Sequence, residues 1–473
     1  MSQEITVLLE RDGYHVYSPS IRSVKGGSLF VAKSDGKKFV GVAGSAKLTD
    51  PVFATRTASG EDVNLYALTW ENYKILQGML PIAPSPCDKP ASFGTGDRLG
   101  LVTTAHLEVL DKYPIFPVVA QQSPRELART QRTFKSVLLD AVMGLLESGY
   151  TGAFGADADH IKDEQYLREG AEAGYSMYTL DVSDWLQDLC GLSAGDIAEK
   201  AGKLSPLSRE IVSSCAGMVV EGTDYAMSLD ELNKSALIYE RSMGQIKHFD
   251  SVIKEYMKKF DLEVSIDEGS RDTTPEDHLF VTEYLHRNGI DFKSLAPKFP
   301  GEFQKGVDYM GDFATLEESM KIHASLARQL KGYRLSLHSG SDKFSVYPLF
   351  GKVTGENFHI KTSGTSWLQA VKLIASADVP MFKDLYSLCL ENLDESKKAY
   401  HVYITHDHFP AEVPEGNVLE FFDMRDVRQL FHISYGVLLD NRKAQIFDTL
   451  RANEYEHYAF VGEHIDKHLK LIF

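Results

Sequence analysis

The chain has 473 residues, and its 50 Lys and Arg residues against 67 Asp and Glu residues give a formal net charge of -17 at pH 7. This length is sufficient for two or three domains, or for one large α/β barrel with additions. The acidic balance argues against a nucleic acid or an anionic membrane as the main partner. An anionic substrate would therefore require a local site built from a few Lys or Arg side chains.

The N-terminal stretch and the cysteines indicate a cytoplasmic protein. The stretch "MSQEITVLLERDGYHVYSP" has acidic residues on both sides of a short apolar run, so it lacks the basic start and long apolar core of a signal peptide. No run approaches the length of a membrane span. The cysteines lie far apart, at Cys87, Cys190, Cys215 and Cys389, which fits unpaired thiols in a reducing compartment.

Residues 1–91 predict an N-terminal β-rich domain. The run "SLFVAKSDGKKFVGVAG" places two apolar stretches around Asp35-Gly36, which predicts a β-hairpin. Four prolines between Leu80 and Asp97 then indicate a domain boundary.

From residue 97 onwards, short apolar strands alternate with helices. The candidate strands cover residues 98–103, 115–122, 152–160, 175–182, 262–269, 291–298, 333–340 and 357–364. Eight strands with helical crossovers predict a (β/α)8 barrel over residues 92–372, with a helical insertion at 184–261. A doubly wound open sheet is the structural alternative. Residues 373–473 combine helices with strand-like stretches at 398–409 and 417–427, which predicts a C-terminal α/β extension.

Three of the predicted helices have recognisable starts. Ser123-Pro124 and Thr274-Pro275 each combine a capping side chain with a proline in the first turn. Thr315 and Glu318 have the spacing of a capping box.

The carboxyl ends of barrel strands form one open face, and the polar clusters of this sequence fall at those ends. In strand order they are Asp157, Asp159 and His160, then Asp181, then Asp267 and Glu268, then Lys298, then His338, Asp342 and Lys343, and finally Lys361. Such residues also occur after strands in ordinary turns and helix caps, and this is the alternative interpretation of any single cluster.

Three of these ends belong to alternate strands, which contribute side chains to common layers, so His160, Glu268 and His338 can converge. Two imidazoles with a carboxylate suit a divalent ion such as Zn²⁺, Mn²⁺, Co²⁺ or Ni²⁺. If the apolar residues of the fifth strand face the helices, Asp267 points inward and Glu268 outward. Glu268 is the first choice here, and Asp267 stays open as the alternative.

Other histidines and glycines offer competing sites. His406 and His408 form an HxH pair with metal-binding spacing, although a surface turn before Pro410 is the alternative. The remaining C-terminal histidines, at His432, His457, His464 and His468, fall in helical sequence and are expected to be solvated. The glycines of "GTGDRLG" lack the GxGxxG spacing, so we expect no dinucleotide site.

Five sequence blocks occur in order along the chain, namely "FGTGDRLGLVT", "AQQSPRELART", "GYTGAFGADADHIK", "LSLHSGSDKFSVYP" and "FHIKTSGTSWLQA". Taken together, they resemble the tagaturonate epimerase family, whose relatives include tagatose 4-epimerases. The resemblance implies a cytoplasmic, divalent-metal-dependent sugar epimerase of hexuronate catabolism. It implies Asp159 as a base and Glu268 as the partner acid or base. It also implies His160 and His338 as metal ligands. The third ligand is expected in the segment after the sixth strand, which offers Glu302, Gln304 and Asp308, and Gln304 is the choice made here.

The family's chemistry suits these residues. The carbon to be inverted lies β to the ketone and is not acidic, so retro-aldol cleavage and re-addition are expected, with two acid/base groups near the carbonyl. The carboxylate or polar groups of a sugar or sugar acid would be bound by Lys298, Asp342, Lys343 and Lys361 or by the "SGTSW" turn. The alternatives are a class II-type sugar aldolase, a metal-dependent sugar isomerase, or a carbohydrate-binding protein without turnover.

Overall fold

The computed structural model describes residues 3–398, 400 and 402–473, which form two compact units. The first unit comprises Met1–Ser85, Thr95–Phe154 and Ser363–Lys467, and the second comprises Pro86–Gly94, Gly155–Thr362 and His468–Phe473. The division into segments 1–91, 92–372 and 373–473 stays a prediction.

The strands are β1 (His15–Val24), β2 (Gly27–Ser34), β3 (Lys37–Gly44), β4 (Pro51–Arg56), β5 (Asp62–Tyr66), β6 (Ser92–Thr95), β7 (Phe116–Gln122), β8 (Gly155–Ile161), β9 (Met177–Asp181), β10 (Asp261–Ser265), β11 (Ser294–Ala296), β12 (Arg334–Leu337) and β13 (Phe358–Thr362). The first helices are α1 (Gln3–Arg11), α2 (Trp70–Gln77), α3 (Thr103–Leu110), α4 (Pro124–Thr130), α5 (Phe134–Ser148), α6 (Glu164–Glu172), α7 (Ala194–Ala201), α8 (Pro206–Cys215) and α9 (Leu229–Tyr256). They are followed by α10 (Pro275–Arg287), α11 (Phe313–Gln329), α12 (Tyr347–Thr354), α13 (Thr365–Ala377), α14 (Val379–Glu391), α15 (Leu393–Lys397), α16 (Val418–Asp423), α17 (Arg425–Ala452) and α18 (Glu454–Ile472). Short 3₁₀ turns cover Ser183–Trp185 and His406–His408.

An antiparallel sheet in the order β1-β2-β3-β5-β4 occupies the N-terminal part of the first unit. The predicted hairpin is confirmed: β2 pairs with β3, and both turn residues are left-handed, with φ of 48° at Asp35 and 69° at Gly36. Ile5 and Leu9 of α1 pack with apolar residues of these strands in one core.

The C-terminal part of the first unit is helical, so the predicted α/β character of residues 373–473 is wrong for the residues described there. The stretch 417–427 forms α16 and the start of α17, because Asn417 caps the backbone N–H groups of Leu419 and Glu420. Phe421 and Phe422 then join a helical core. In the stretch 398–409, residues 402–405 form no regular element, and positions 399 and 401 lie outside the described residues.

Eight strands form a closed barrel in the order β10-β11-β12-β13-β6-β7-β8-β9, as the sequence predicts. The first barrel strand is β6, so the prediction of a strand at 98–103 is wrong. The Asp97 carboxylate accepts hydrogen bonds from the backbone N–H groups of Leu99, Gly100 and Val102. These bonds bend the stretch into a turn before α3.

The second unit carries parallel strands β8 to β13, with residues such as Glu263 and Ser294 in register on β10 and β11. Helices α7, α8 and α9 separate β9 from β10, as the predicted insertion requires. Among the described residues, no helix has both the length and the apolar character needed to cross a bilayer.

Two of the three predicted helix starts are confirmed. Ser123 and Thr274 each form a capping box and precede a proline at the first helical position. The third prediction is wrong, because α11 begins earlier, with Asp312 accepting the backbone N–H and the hydroxyl of Thr315.

Candidate active site

Glu263, in the middle of β10, joins side chains from four other barrel strands or their ends. Its Oε1 lies 3.3 Å from the Thr179 hydroxyl and 2.7 Å from Nε2 of His338. Its Oε2 accepts a hydrogen bond from the Ser294 hydroxyl at 2.6 Å. The side chain is fully buried. Partners on so many strands place this carboxylate inside the barrel.

Lys361 on β13 is the cationic centre of the same cluster. Its Nζ lies 2.8 Å from Asp157 Oδ2 and 3.4 Å from Glu263 Oε1, bonds to Asp159, and donates to the Thr179 hydroxyl at 2.6 Å. Burial opposes the charge, but the three carboxylates outweigh it and raise the pKa of Lys361. Lys361 is therefore an ammonium ion at neutral pH.

The two aspartates beside Lys361 differ in pKa. Burial is the largest influence on Asp157, and the nearby carboxylates of Asp159 and Glu263 add to it, so its pKa rises to about 6 despite Lys361. Burial also acts on Asp159, but Lys361 and then His160 overcome it and lower the pKa of Asp159 to about 2. Asp159 is thus ionised at neutral pH.

His338 follows β12 and lies between two carboxylates. Its Nε2 is 2.7 Å from Glu263 Oε1, and its Nδ1 is 3.2 Å from Asp267 Oδ2. Burial disfavours its charge, but Asp267 and then Glu263 raise the pKa of His338 to about 10. The ring is therefore an imidazolium at neutral pH and meets the His160 ring edge-on, with centroids 4.9 Å apart.

A β-bulge brings two consecutive residues of β8 to the site. The pairing of β8 with β9 shifts between Ala158 and Ile161, so Asp159 and His160 together lie opposite Thr179. His160 has a left-handed φ of 51°, unusual for this residue type in a strand. Regular alternation would turn His160 away from Asp159, whereas here its Nε2 lies 3.6 Å from Asp159 Oδ1.

His160, Asp181 and Glu268 form a set that fits a divalent metal ion. One ligand atom from each lies within 4.8 Å of the others. His160 Nδ1 is 3.5 Å from Asp181 Oδ2, close to the spacing of about 3.4 Å between neighbouring ligands in a tetrahedral zinc site. Asp181 is held by Ser183, whose hydroxyl donates to Oδ1 at 2.7 Å. An imidazole with two carboxylates suits the borderline divalent metals.

The structure brings together four of the predicted residues directly, namely Asp159, His160, His338 and Lys361, and it places Glu268 at the exposed edge of the same site. The orientation expected from alternation also holds: Asp267 contacts His338, whereas Glu268 is exposed.

Lys343 and Gln304 contact each other instead. Lys343 is fully buried, and its Nζ donates to the backbone carbonyls of Gln304 at 2.8 Å, Val307 at 2.6 Å and Ser341 at 3.1 Å. These contacts use the three donors of the ammonium group, which favours a structural role for Lys343. Gln304 as a metal ligand stays a prediction.

Lys298 and Asp342 also have local partners. Lys298 Nζ donates to the Gly269 carbonyl at 2.9 Å, which joins the loops after β11 and β10. Asp342 is buried, and its backbone N–H donates to His468 Nε2 at 3.2 Å. Substrate binding by either side chain stays a prediction.

Glu263 and Thr179 are site residues that reasoning from strand ends misses, because both lie within strands. Alternation along β10 is the signal that could have found Glu263, since Leu262 and Val264 are apolar on either side of it. A carboxylate at an inward position of a barrel strand is costly unless it has partners.

The competing histidines lie elsewhere. His406 and His408 are exposed on a short turn. This agrees with the alternative interpretation of the HxH pair, a surface turn before Pro410. The expectation that the helical histidines are solvated is wrong for His432, His457 and His468, which are buried because apolar neighbours in their helices are drawn into the core.

Comparison with known proteins identifies the family. The family model described as tagaturonate epimerase matches residues 17–472. The chain belongs to the tagaturonate epimerase family. The resemblance carried by the five sequence blocks is therefore confirmed. The tagaturonate/fructuronate epimerase of Thermotoga maritima is 38% identical over 473 residues, covering 97% of both chains.

Solved structures of the family agree with this fold. A crystal structure of fructuronate-tagaturonate epimerase UxaE from Cohnella laeviribosi with one glycerol bound is 33% identical, covers 99% of both chains and gives a TM-score of 0.91. The native crystal structure of the same protein is 32% identical, with the same coverage and a TM-score of 0.91.

Proposed function

We propose that this chain interconverts tagaturonate and fructuronate at the carboxyl-end face of its barrel. The observation that carries the proposal is the cluster of two imidazoles, several carboxylates and a buried lysine at this face. The names of the similar epimerases supply the substrate pair. A cytoplasmic location belongs to the same proposal and is supported by four free thiols.

The reaction proceeds by retro-aldol cleavage and aldol re-addition. A base takes the proton of the hydroxyl group on the carbon to be inverted, the bond between this carbon and the carbon next to the ketone breaks, and the electron pair moves onto the ketone. An aldehyde and an enediolate result. Rotation of the aldehyde and re-formation of the same bond give the epimer. No redox cofactor is needed, because the substrate is neither oxidised nor reduced.

Asp159 is the proposed base for the hydroxyl proton. It is ionised at neutral pH and is held by Lys361, so its carboxylate is fixed in place. Its low pKa makes it a reluctant proton acceptor, which also means that it returns the proton readily when the alkoxide of the product forms. Glu268, at the exposed edge, is the proposed second acid/base group.

A divalent ion is the proposed cofactor. His160, Asp181 and Glu268 would hold it, and a bound ion would polarise the ketone and stabilise the negative charge that develops on its oxygen. His338 as a further ligand would have to lose one proton of its imidazolium ring and turn Nδ1 away from Asp267. Glu268 can act as a ligand or as a proton-transfer group, and metal analysis of a Glu268 variant separates these roles.

Incubation of the metal-loaded protein with tagaturonate and, separately, with tagatose tests the proposal. Epimer formed without accumulating three-carbon fragments is the expected result. Lasting cleavage products would indicate an aldolase, and an aldose product would indicate an isomerase. Binding without turnover would indicate a carbohydrate-binding protein.

A further inference from the structure

A cavity of about 880 Å³ lies beside the candidate active site within the second unit. The helical insertion and the loop after β10 form its walls, and Ser183 and Glu268 belong to both the cavity and the site. The volume is within the range of pockets that hold small ligands. A substrate at the site can therefore extend into this cavity.

Arg271 is a positioned cation in the wall of this cavity. Its Nη2 donates to Asp277 Oδ1 at 2.7 Å. Asp277 is fully buried and also accepts the Ser235 hydroxyl of α9 at 2.7 Å and the Thr274 backbone N–H at 3.0 Å. These bonds tie Arg271 to both the insertion and the start of α10.

The guanidinium of Arg271 retains donors for a ligand. Among the described residues, Asp277 is its hydrogen-bond partner, and a guanidinium has five N–H donors in a planar fork. The side chain is 39% exposed. An Arg held on one side by a carboxylate can therefore present its other side to a second carboxylate.

The neighbouring lysines are less suited to this task. Lys234, also in the cavity wall, is paired with Glu231 Oε1 at 2.6 Å on the same helix. Lys298 donates to the Gly269 carbonyl. Lys361 is surrounded by carboxylates, which would repel an approaching anion.

We propose that Arg271 binds the carboxylate of the sugar-acid substrate and so selects uronates over neutral ketohexoses. The inference rests on the proposed function, because it assigns one end of that substrate. Arg271 and Glu268 are three residues apart, so their Cα atoms are separated by at most about 11 Å. An extended six-carbon acid with its ketone near Glu268 can reach the guanidinium.

Arg271 also has a consequence for the chemistry. In the retro-aldol step the carboxylate belongs to the aldehyde fragment, which must rotate without leaving. A bidentate contact at the carboxylate holds this fragment at one end while the aldehyde carbon turns. Loss of Arg271 should therefore release fragments as well as weaken binding.

The test uses the full-length protein and the variants Arg271→Gln and Arg271→Lys. Calorimetry measures the binding of galactonate, which has a carboxylate, and of galactitol, its neutral counterpart. We expect Arg271→Gln to weaken galactonate binding by about 10- to 100-fold and to change galactitol binding less than about twofold. Arg271→Lys should lie between wild type and Arg271→Gln, because it keeps the charge but loses the fork. Equal weakening of both ligands, or none, would overturn the proposal, as would a wild type without preference for galactonate.

Two further variants control for structure. Lys234→Gln removes the other cavity cation and should leave the galactonate preference unchanged. Ser235→Ala removes a hydrogen bond to Asp277 and should not reproduce the selective loss of galactonate binding. If Arg271 only held the loop in place, Ser235→Ala would weaken the binding of galactonate and galactitol alike. Turnover of tagaturonate by Arg271→Gln should also release aldehyde fragments, measured with a carbonyl trap. If the wild type does not turn over tagaturonate, the proposed function is wrong. The calorimetric comparison of galactonate with galactitol still shows whether Arg271 binds a carboxylate.

Discussion

Substitution of Lys361 by Met should destabilise the fold, because it removes the cation shared by three buried carboxylates. The lysine side chain is 4% exposed, and Asp157 and Glu263 beside it are fully buried. Removing one partner of a buried ion pair typically costs about 3–5 kcal/mol, because the remaining charge has no compensation. We therefore expect a loss of this size in the free energy of unfolding at pH 7.

The loss should shrink as the pH falls. Without Lys361 the pKa values of Asp157 and Asp159 rise, so these groups take up protons in the variant at a higher pH than in the wild type. The folded variant thus binds more protons than the folded wild type, and its relative stability improves on acidification. Urea unfolding of both proteins at pH 8, 7, 6 and 5 measures this difference.

Lys203→Met is the matched control, since Lys203 forms an exposed pair with Glu199, with 72% and 69% of the side chains exposed. Its loss should be under about 1 kcal/mol at every pH. The reasoning would be refuted if Lys361→Met cost no more than this control at pH 7, or if its cost grew on acidification.

Three other predictions concern the metal, the imidazolium and acid stability. If Glu268 is a metal ligand, Glu268→Gln should lower the amount of metal bound per chain. If Glu268 transfers protons, the variant should keep its metal and lose at least about tenfold in kcat. Wild-type metal content together with wild-type kcat would exclude both roles. His338→Ala should lower kcat/KM for tagaturonate at least about 100-fold, because His338 links Glu263 to Asp267; near-normal activity would contradict this role. Burial, despite a bond to a backbone carbonyl, lowers the pKa of His323 to about 4. The unfolded chain therefore protonates first, and about 3 kcal/mol of stability should be lost between pH 6.5 and pH 4. Circular dichroism during acid titration measures this loss, and undiminished stability at pH 4 would refute it.

The fold is predictable where local signals agree with tertiary contacts. Ser123 and Thr274 cap helices whose proline and acidic residues are adjacent in sequence, so no distant contact is needed to recognise them. The first barrel strand, β6, is predicted at 98–103 instead of Ser92–Thr95. The Asp97 carboxylate bends residues 98–102 into a turn, and the apolar residues of this stretch do not reveal that turn.

The site is predictable only in part. Asp159 and His338 follow from their positions at strand ends, since such ends meet on one face of a barrel. Glu263 is missed because it lies inside a strand, where only its alternation with apolar neighbours distinguishes it. The bulge that turns His160 towards Asp159 depends on the pairing of β8 with β9, which no local pattern records.

The sequence by itself determined the alternation of strands and helices, the family, and the types of side chain at the strand ends, because these are properties of neighbouring residues. The tertiary structure decided which side chains meet. The bond between Asp159 and Lys361 joins residues 202 positions apart, and the anchoring of Arg271 depends on a buried carboxylate that helix α9 also contacts. Strand register and packing set such contacts, and through them the charge of each group, since a carboxylate buried beside an ammonium ion ionises more readily than one buried beside other carboxylates.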